Sequence, residues 1–533
     1  MSQPSISADP APAAPSAMPN PVSRSAGALA GLVAAAAALA TGELVAAITG
    51  GTPSPLVAVG AAVIDFAPPG SKEVVVALFG TNDKLALMVL VGAAVLVFGA
   101  VTGLVARRSM LAASLLIVGL VAVGALAGMR DPTASASLVL ISAVAQVTAG
   151  ILVLEVLMAA ARGTAAMPSS TAGADPVRRG FLVRAGGLGL LSLVGFGVGR
   201  ALLESRAATV ADVAVDVPQT VDPAASIAAD NSLDVAGITP LVTANDSFYR
   251  IDTALITPAV DVSTWSLRVH GMVDRELVMT FDQLVELPVI ERYITISCVS
   301  NEVGGRLIGN AKWSGVRLTD VLDMAGVQAG ATQVVPRSVD GWAAGFPTDW
   351  VTQPDRPRDA MIAVKMNDEP LPPEHGFPAR LIVPGLYGYV SATKWLSEIE
   401  LTTWEAFDSY WVPRGWSKEG PVLTQCRIDV PRPSDQFQAG DQVAVAGVAW
   451  AMDRGISKVE VQVDDGPWNE ATLATPLGPQ TWVQWKWPWT AVSGRHTFTA
   501  RATDGDGNVQ ESRVTPPDPD GARGYPMRAV QVG

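Results

Sequence analysis

The sequence predicts a multi-domain protein: an α-helical transmembrane region of about five spans, then an α+β domain, then an all-β immunoglobulin-like sandwich. Mean hydropathy is +0.31, and charged residues make up only 16% of the chain, whereas about 25% is usual in soluble proteins. Long apolar stretches lie before residue 205, and short alternating β runs follow residue 241. A membrane part therefore precedes the globular part.

Each of the long apolar stretches is close to the roughly 20 residues that a bilayer-spanning helix requires. They lie at 26–49, 85–106, 110–129, 136–160 and 181–203. A shorter apolar run at 56–66 stands between prolines and predicts an interfacial or re-entrant segment. Residues 1–23 are rich in Pro, Ala and Ser, which predicts a disordered tail.

The arginines that flank the spans predict the orientation of the chain. With five spans they fall on one side of the membrane, as short cytoplasmic loops require. They are Arg24, Arg107, Arg108 and those from Arg162 through Arg184. We therefore expect a multi-pass cell-membrane protein with a transmembrane region at 24–204, a linker at 205–240 and its catalytic domains on the extracytoplasmic side.

A possible export signal precedes the final span. Val177-Arg178-Arg179-Gly180-Phe181-Leu182 resembles a twin-arginine motif, which serves proteins that are exported already folded. A plain positively charged helix start is the alternative.

Composition excludes several classes of function. The net charge of -13 argues against a nucleic-acid partner. None of the three histidines lies before residue 205, so no haem is expected in the membrane part. The two cysteines, Cys298 and Cys426, cannot form a disulfide framework, although one bridge between them remains possible.

The globular part divides into two patterns. Residues 241–415 alternate short β runs, such as Tyr293–Cys298, with helical stretches such as Leu318–Ala325, which predicts a mixed domain. Residues 416–533 show only β signals at regular spacing, which favours the immunoglobulin-like sandwich. The predicted strands are 443–450, 458–463, 482–487 and 496–501.

The strongest local sequence feature is a cysteine at the end of a predicted apolar strand. Ile296-Ser297-Cys298 is followed by a polar turn that contains Gly304 and Gly305. A thiolate there could bind a thiophilic metal and leave other positions open for a cofactor and a substrate. A buried structural cysteine is the alternative.

Two further blocks follow this cysteine in a specific order. The first is Asn310-Ala311-Lys312-Trp313-Ser314-Gly315-Val316-Arg317-Leu318, and the second is His375-Gly376-Phe377-Pro378-Ala379-Arg380 with Pro384-Gly385 and Lys394-Trp395. In this order the chain resembles the sulfite-oxidase family of molybdopterin-dependent oxidoreductases, in a membrane-anchored bacterial form. The resemblance covers about 240 to 415, and the following β domain fits the family's dimerisation domain in position.

The resemblance implies a role for each matched residue. Cys298 would be the single protein ligand of a molybdenum held by molybdopterin, and His375, Arg380 and Lys394 would bind the anionic pterin. Asp340, Phe248 and Tyr249 match further cofactor positions. Thr393 is assigned to the cofactor from a segment one residue longer than in the animal enzymes, where Ser391 and Ala392 are alternatives. Arg250 matches both the cofactor-lining segment and an arginine near the substrate, and Trp313 matches a pocket wall, with a core role as its alternative.

The chain departs from the family at two further places. Sulfite oxidases follow their cysteine with Asn-Arg-Arg, whereas this chain has Asn301-Glu302-Val303, and a family tyrosine is replaced in Arg414-Gly415-Trp416. Glu302 favours a neutral or cationic substrate over a small dianion, unless it points outward or pairs with Arg306.

The expected function is two-electron oxygen-atom transfer on a small substrate, with electrons passing to an unidentified carrier and a homodimer possible. A reductase of sulfoxides or other oxo compounds, and a non-catalytic membrane-tethered binding protein, are the alternatives. Transport through the spans has little support, because only Glu43 and Glu155 stand out there.

Overall fold

A computed structural model of the chain describes residues 22–67, 78–79, 83–165, 176–211, 220–353 and 359–533. The chain forms two compact units, residues 1–203 and 204–533. Most of the predicted tail, residues 1–21, and part of the predicted linker, residues 212–219, lie outside the described residues.

The first unit is helical. Five of its helices are long and apolar enough to cross a membrane, by length and composition, which confirms the predicted number. The helices are α1 Arg24–Thr49, α2 Pro55–Asp65, α3 Asp83–Ala106, α4 Met110–Gly128, α5 Ala136–Ala165 and α6 Pro176–Ala211. Helix α2 is the short apolar run that the sequence places between the first two spans, and α6 carries both arginines of the twin-arginine-like motif.

Close backbone approach joins α1 to α3. A Cβ atom added to Gly31 would lie 2.0 Å from the carbonyl oxygen of Gly99, and one added to Gly103 would lie 1.9 Å from that of Gly27. Small residues permit such contact between membrane helices, where van der Waals packing replaces the hydrophobic effect. Alanine at either position would separate the two helices.

A polar group lies inside this unit. Glu43 of α1 is completely buried and accepts a hydrogen bond from Ser54 Oγ at 2.6 Å. Its other carboxylate oxygen lies 4.0 Å from Nη1 of Arg200 in α6. Glu155, in contrast, is exposed on α5. The first and last spans are therefore linked by an ion pair. Charged residues inside a helix bundle usually pair with one another in this way.

The second unit begins with two five-stranded sheets. One has the order β2-β1-β10-β5-β6, and the other joins β3, β4, β7 and β8 in that order, with β9 also paired to β7. The strands are β1 Ser266–Gly271, β2 Leu277–Thr280, β3 Val289–Ser297, β4 Ile308–Arg317, β5 Gln333–Ser338, β6 Phe346–Pro347, β7 Met361–Met366, β8 Glu369–Pro370, β9 Arg380–Ile382 and β10 Leu396–Thr402.

The helices of this region are short and lie between the strands. They are α7 Phe281–Val285, α8 Leu318–Ala325, α9 Asp349–Thr352 and α10 Gly388–Ser391. The prediction of a mixed region after residue 241 is therefore confirmed, and strands are its main component. Only the β1–β10 pair is parallel, and every other strand pairing of these two sheets is antiparallel.

The C-terminal region contains two four-stranded antiparallel sheets, ordered β11-β12-β16-β15 and β14-β13-β17-β18. Their strands are β11 Gln425–Val430, β12 Gln442–Trp450, β13 Ile456–Val463, β14 Trp468–Glu470, β15 Thr472–Leu473, β16 Val483–Thr490, β17 Gly494–Asp504 and β18 Met527–Val532. Residues of both sheets share one core, in which Trp485 and Phe498 are fully buried. The four predicted strands correspond to β12, β13, β16 and β17.

Residues 220–240 differ from the tether that composition predicts. The Val221 N–H donates to the Val289 carbonyl at 2.9 Å, and the Asp222 carboxylate accepts from Arg292 and Arg317 at 2.5 Å each. The predicted linker at 205–240 is thus partly docked onto β3, because its polar groups find partners there that a composition count cannot identify.

The C-terminal region also supports β3 directly. Thr295 of β3 donates its N–H to the Gln480 carbonyl at 3.0 Å and accepts the Trp482 N–H at 2.8 Å. Strand β3, which directly precedes Cys298, is therefore held by hydrogen bonds from residues 220–222 and from the C-terminal region.

Candidate active site

Cys298 follows β3 at the start of a closed turn. Its N–H donates to the Leu307 carbonyl at 2.9 Å, and the buried Asn301 side chain accepts the Leu307 N–H at 2.8 Å. Gly304 has a φ of +74°, a conformation that favours glycine. The side chain of Cys298 is 7% exposed, so the thiol is presented at the strand end by a turn with defined hydrogen bonds.

Neither cysteine takes part in a disulfide. Cys426 lies in the C-terminal core, where burial raises the pKa of its thiol and keeps it protonated. The bridge between Cys298 and Cys426 that the sequence allows is therefore absent, because the two residues belong to different layers of the unit.

An aromatic group lies beside the thiol. Phe248 stacks on Tyr249 with ring centroids 5.3 Å apart. It also makes edge-to-face contacts with Trp313 and His375, at centroid distances of 5.8 and 5.6 Å. A Cβ atom at Gly309 would lie 2.6 Å from the Phe248 ring, so glycine is required there. Burial raises the pKa of Tyr249, and the charge of Cys298 raises it further, which places this hydroxyl within electrostatic reach of the sulfur.

Arg380 is a buried cation in this group. It is 3% exposed, its Nη1 donates to the His375 carbonyl at 3.1 Å, and its guanidinium lies 5.1 Å from the Trp313 ring. Among the described residues, its Nε has no hydrogen-bond partner and no carboxylate forms an ion pair with it. Burial lowers its pKa to about 10, so the group still carries its charge at neutral pH.

His375 is neutral at physiological pH. Burial lowers its pKa to about 4, although the hydrogen bond to Asn245 acts in the opposite direction. Its Nε2 lies 2.9 Å from the Asn245 carbonyl, which can only accept, so Nε2 carries the proton and Nδ1 is an acceptor. This ring therefore offers a lone pair, and Arg380 and Lys394 supply the positive charge.

Lys394 and Thr393 lie beside Arg380. Lys394 Nζ donates to Asp252 Oδ2 and to the Glu374 carbonyl, both at 2.9 Å, and burial lowers its pKa to about 8. The hydroxyl of Thr393 is buried without a hydrogen-bond partner in the described part of the chain. Leu381 N–H donates to the Thr393 carbonyl at 2.8 Å, which joins this segment to β9.

Arg250 also binds Asp252. Its Nε lies 2.9 Å from Asp252 Oδ2, its Nη2 donates to Thr257 Oγ1 at 3.0 Å, and its side chain is 42% exposed. Arg250 thus lies on the solvent side of the group that contains Lys394.

Asp340 lies in the turn after β5. Its carboxylate accepts the Trp342 N–H at 3.1 Å, and the neighbouring Val339 N–H donates to the Trp395 carbonyl at 2.9 Å. This hydrogen bond therefore joins the turn to Trp395, the residue that follows Lys394.

The structure bears on two residues whose roles the sequence left open. Trp313 is fully buried and donates its indole N–H to the Ile294 carbonyl at 3.0 Å. It therefore packs in the core beneath Arg380, as in the alternative core role, and its pocket-wall role stays a prediction. Glu302 is exposed and forms no ion pair with Arg306 in the described structure, so it points outward and carries little weight as a substrate-repelling charge.

Tyr387, which lies near the thiol, and Arg523, which lies near Tyr387, are outside the predicted set. Tyr387 is 4% exposed, and burial, with a contribution from the charge of Cys298, raises its pKa to about 12. Arg523 of the C-terminal region interacts electrostatically with Tyr387 and pairs with Glu511 and Asp520 at 2.9 and 2.7 Å. Tyr387 stands two residues after Gly385 of the Pro-Gly motif, which is a local signal. Arg523 is more than 200 residues from Cys298 in the sequence, and no local pattern marks it.

These residues fit an anionic cofactor with hydrogen-bonding edges. A buried guanidinium without a carboxylate and a buried hydroxyl without a partner are costly unless a ligand satisfies them. Arg380 and Thr393 supply both groups, Lys394 adds a second cation, and Nδ1 of His375 can accept from a ring N–H. The donor set thus fits a pterin with a phosphate, and Cys298 offers the single soft ligand that a bound metal needs.

Comparisons with known proteins agree with this chemistry. Residues 254–411 match the family model of the oxidoreductase molybdopterin binding domain. The uncharacterized oxidoreductase YuiH of Bacillus subtilis (strain 168) is 33% identical over 174 residues, which cover 33% of this chain and 83% of YuiH. Mitochondrial sulfite oxidase of Homo sapiens is 28% identical over 321 residues, 52% of this chain and 58% of the human protein.

Two further proteins are similar to parts of the chain. NADH nitrate reductase 1 of Oryza sativa subsp. japonica is 26% identical over 320 residues, 48% of this chain and 34% of the reductase. The crystal structure of the sulfane dehydrogenase SoxCD from Paracoccus pantotrophus covers 52% of this chain and 76% of its own, with a TM-score of 0.46 and 22% identity. The chain spans little more than half the length of the human relative.

Proposed function

Because the chain belongs to the sulfite-oxidase family of molybdopterin-dependent oxidoreductases, we propose that it is a membrane-anchored extracytoplasmic enzyme of oxygen-atom transfer. The observation that carries the proposal is the buried Arg380, which has no carboxylate partner among the described residues, beside a buried Thr393 hydroxyl that has no hydrogen-bond partner there. Tyr249 lies within electrostatic reach of both Arg380 and Cys298. A protein that only binds a partner through its surface has no need for such a costly interior.

The residues divide into three tasks in this proposal. Arg380, Lys394, Thr393 and neutral His375 would hold the cofactor, and Phe248 and Tyr249 would line it. Cys298 would ligate the molybdenum, which supplies two-electron redox chemistry when bound. The chain contributes orientation and electrostatics to that chemistry.

Arg250 and Arg523 are the cations proposed for the substrate side. Arg250 is partly exposed, so an incoming anion can reach its guanidinium. Arg523 interacts electrostatically with Tyr387, which in turn interacts with the thiol of Cys298. Since Glu302 points outward, a small oxyanion is a suitable substrate class, and sulfite is one member of it. The names of the similar proteins state sulfite, nitrate or sulfane as substrates. A substrate screen is therefore needed to identify the substrate of this protein and the direction of its reaction. A reductase of sulfoxides would appear in that screen as turnover with a reduced mediator.

We further propose that the two C-terminal sheets form an immunoglobulin-like sandwich that supports a homodimer, as in the family dimerisation domain. The five apolar helices would anchor the chain, and an extracytoplasmic or membrane carrier would exchange electrons with the enzyme. The antiparallel sheets with a shared core support the first statement.

The test compares Cys298→Ser with Cys426→Ser in the full-length protein in detergent. Molybdenum and pterin are measured per chain, and turnover is assayed with an artificial electron mediator. We expect near-stoichiometric molybdenum in the wild type and in Cys426→Ser. In Cys298→Ser, turnover should fall by at least about a hundredfold, because the metal loses its protein ligand.

Two results would contradict the proposal. Folded wild-type protein without molybdenum, expressed with molybdate, would favour the non-catalytic binding protein. Unchanged turnover in Cys298→Ser would remove the cysteine from the reaction.

A further inference from the structure

Asp252 lies between two cations of the site and is absent from the residues assigned so far. Its side chain is 5% exposed, and its Oδ2 accepts from Arg250 Nε and from Lys394 Nζ, each at 2.9 Å. One carboxylate oxygen therefore contacts both a cofactor-side and a substrate-side cation.

The remaining partners of these two cations are neutral. Lys394 Nζ also donates to the Glu374 carbonyl, and Arg250 Nη2 donates to Thr257 Oγ1. Both side chains are long and have many rotamers, so a neutral oxygen alone holds them weakly. The shared carboxylate adds a charge-assisted hydrogen bond to each, and such bonds are roughly twice as strong as neutral ones.

Asp252 also reduces repulsion within the group. Arg250, Arg380 and Lys394 together carry three positive charges, and among the described residues Asp252 is the carboxylate that forms ion pairs with Arg250 and Lys394. Without it, Arg250 and Lys394 would separate, because like charges repel strongly where water is scarce.

We propose that Asp252 is a positioning residue that couples the two halves of the site, orienting Lys394 toward the cofactor and Arg250 toward the substrate. This inference rests on the proposed function. It predicts that loss of the carboxylate weakens cofactor retention and substrate binding together, through the positions of Lys394 and Arg250.

The experiment uses full-length Asp252→Asn in detergent, which keeps the side-chain size and removes the charge. Asp261→Asn is the matched control, since Asp261 is exposed and its carboxylate bonds only locally to Ser263. Molybdenum and pterin per chain are measured after extended dialysis, and kcat and KM are then expressed per bound molybdenum.

We expect dialysis to remove most of the cofactor from Asp252→Asn and little from the control. In the fraction that stays loaded, KM should rise about tenfold, as loss of one charge-assisted bond implies, while kcat changes less than about threefold. A variant that only disturbs the fold would lower the active fraction and leave KM unchanged.

Asp252→Glu separates charge from packing, because it restores the carboxylate one methylene further out. Partial recovery of retention and KM supports the inference. Equal defects in Asp252→Glu and Asp252→Asn, or Asp252→Asn behaving like the control, would overturn it. Wild-type protein without molybdenum would instead contradict the proposed function, so the two failures are distinguishable.

Discussion

Arg380 carries a guanidinium that is 3% exposed, and no carboxylate in the described part of the chain pairs with it. Burial lowers its pKa from 12.5 to about 10, a shift equivalent to about 3 kcal/mol of disfavoured charge. The hydrogen bond to His375 and the contact with Trp313 each stabilise the charged guanidinium by about 1 kcal/mol. In the cofactor-free protein, Arg380 is therefore a net cost.

Arg380→Met should consequently stabilise the cofactor-free protein by about 1 kcal/mol and abolish cofactor retention. Urea unfolding followed by tryptophan fluorescence measures the first effect. All 14 tryptophans of the chain lie from Trp265 onward, so the signal reports on the second unit alone.

Arg337→Met is the control for this prediction. Arg337 pairs with Glu400 at 2.6 Å and with Glu398 at 3.6 Å, so its removal should destabilise the protein by up to about 1 kcal/mol. Destabilisation of the cofactor-free protein by Arg380→Met, to the same extent as by Arg337→Met, would contradict the prediction.

At the scale of elements, the position of β3 decides where the thiol lies. Residues 220–222, which we call the strap, pair with the first residues of β3 through Val221 and through the bridge between Asp222 and Ile290. Arg292 and Arg317 hold the pKa of Asp222 below its usual value. Its stabilising contribution is therefore present above the ordinary Asp pKa and is lost only as the pH falls through that lowered value.

Asp222→Ala should lower the free energy of unfolding by about 1–2 kcal/mol, because two arginines lose a shared carboxylate. The effect should shrink at high salt, since Asp222 is 40% exposed. Glu276→Ala, which removes an exposed pair with Arg268, is the control and should change the free energy of unfolding much less than Asp222→Ala does. Equal effects of the two variants at all salt concentrations would show that the strap adds no stability.

At the scale of the whole molecule, the proposed export of the second unit depends on Arg178 and Arg179 in α6. Replacing both arginines by lysine keeps the positive charge and removes the twin-arginine pattern. We expect this double variant to leave the second unit on the cytoplasmic side, as reported by protease accessibility in intact spheroplasts.

Arg107→Lys with Arg108→Lys is the matched control, because it makes the same change in the connection between α3 and α4. The control should be exported like the wild type. Normal export of the Arg178→Lys, Arg179→Lys variant would identify the motif as a plain positively charged helix start.

The sequence by itself determined the features that depend on local pattern. Five apolar helices, the mixed sheets, the later all-β region and the cysteine after a strand follow from hydrophobic length, alternation and turn residues, which neighbouring residues encode. The ordered blocks around Trp313, His375 and Lys394 also identified the family, because motif order along the chain needs no contact information.

Only the tertiary structure decided what each side chain meets. It placed Trp313 beneath Arg380 in the core, turned Glu302 outward, left His375 neutral and docked residues 220–222 on β3. It also brought Arg523 near Tyr387 and joined Arg250 to Lys394 through Asp252. These outcomes depend on burial and on pairing between distant segments, and both arise from packing that no local pattern records.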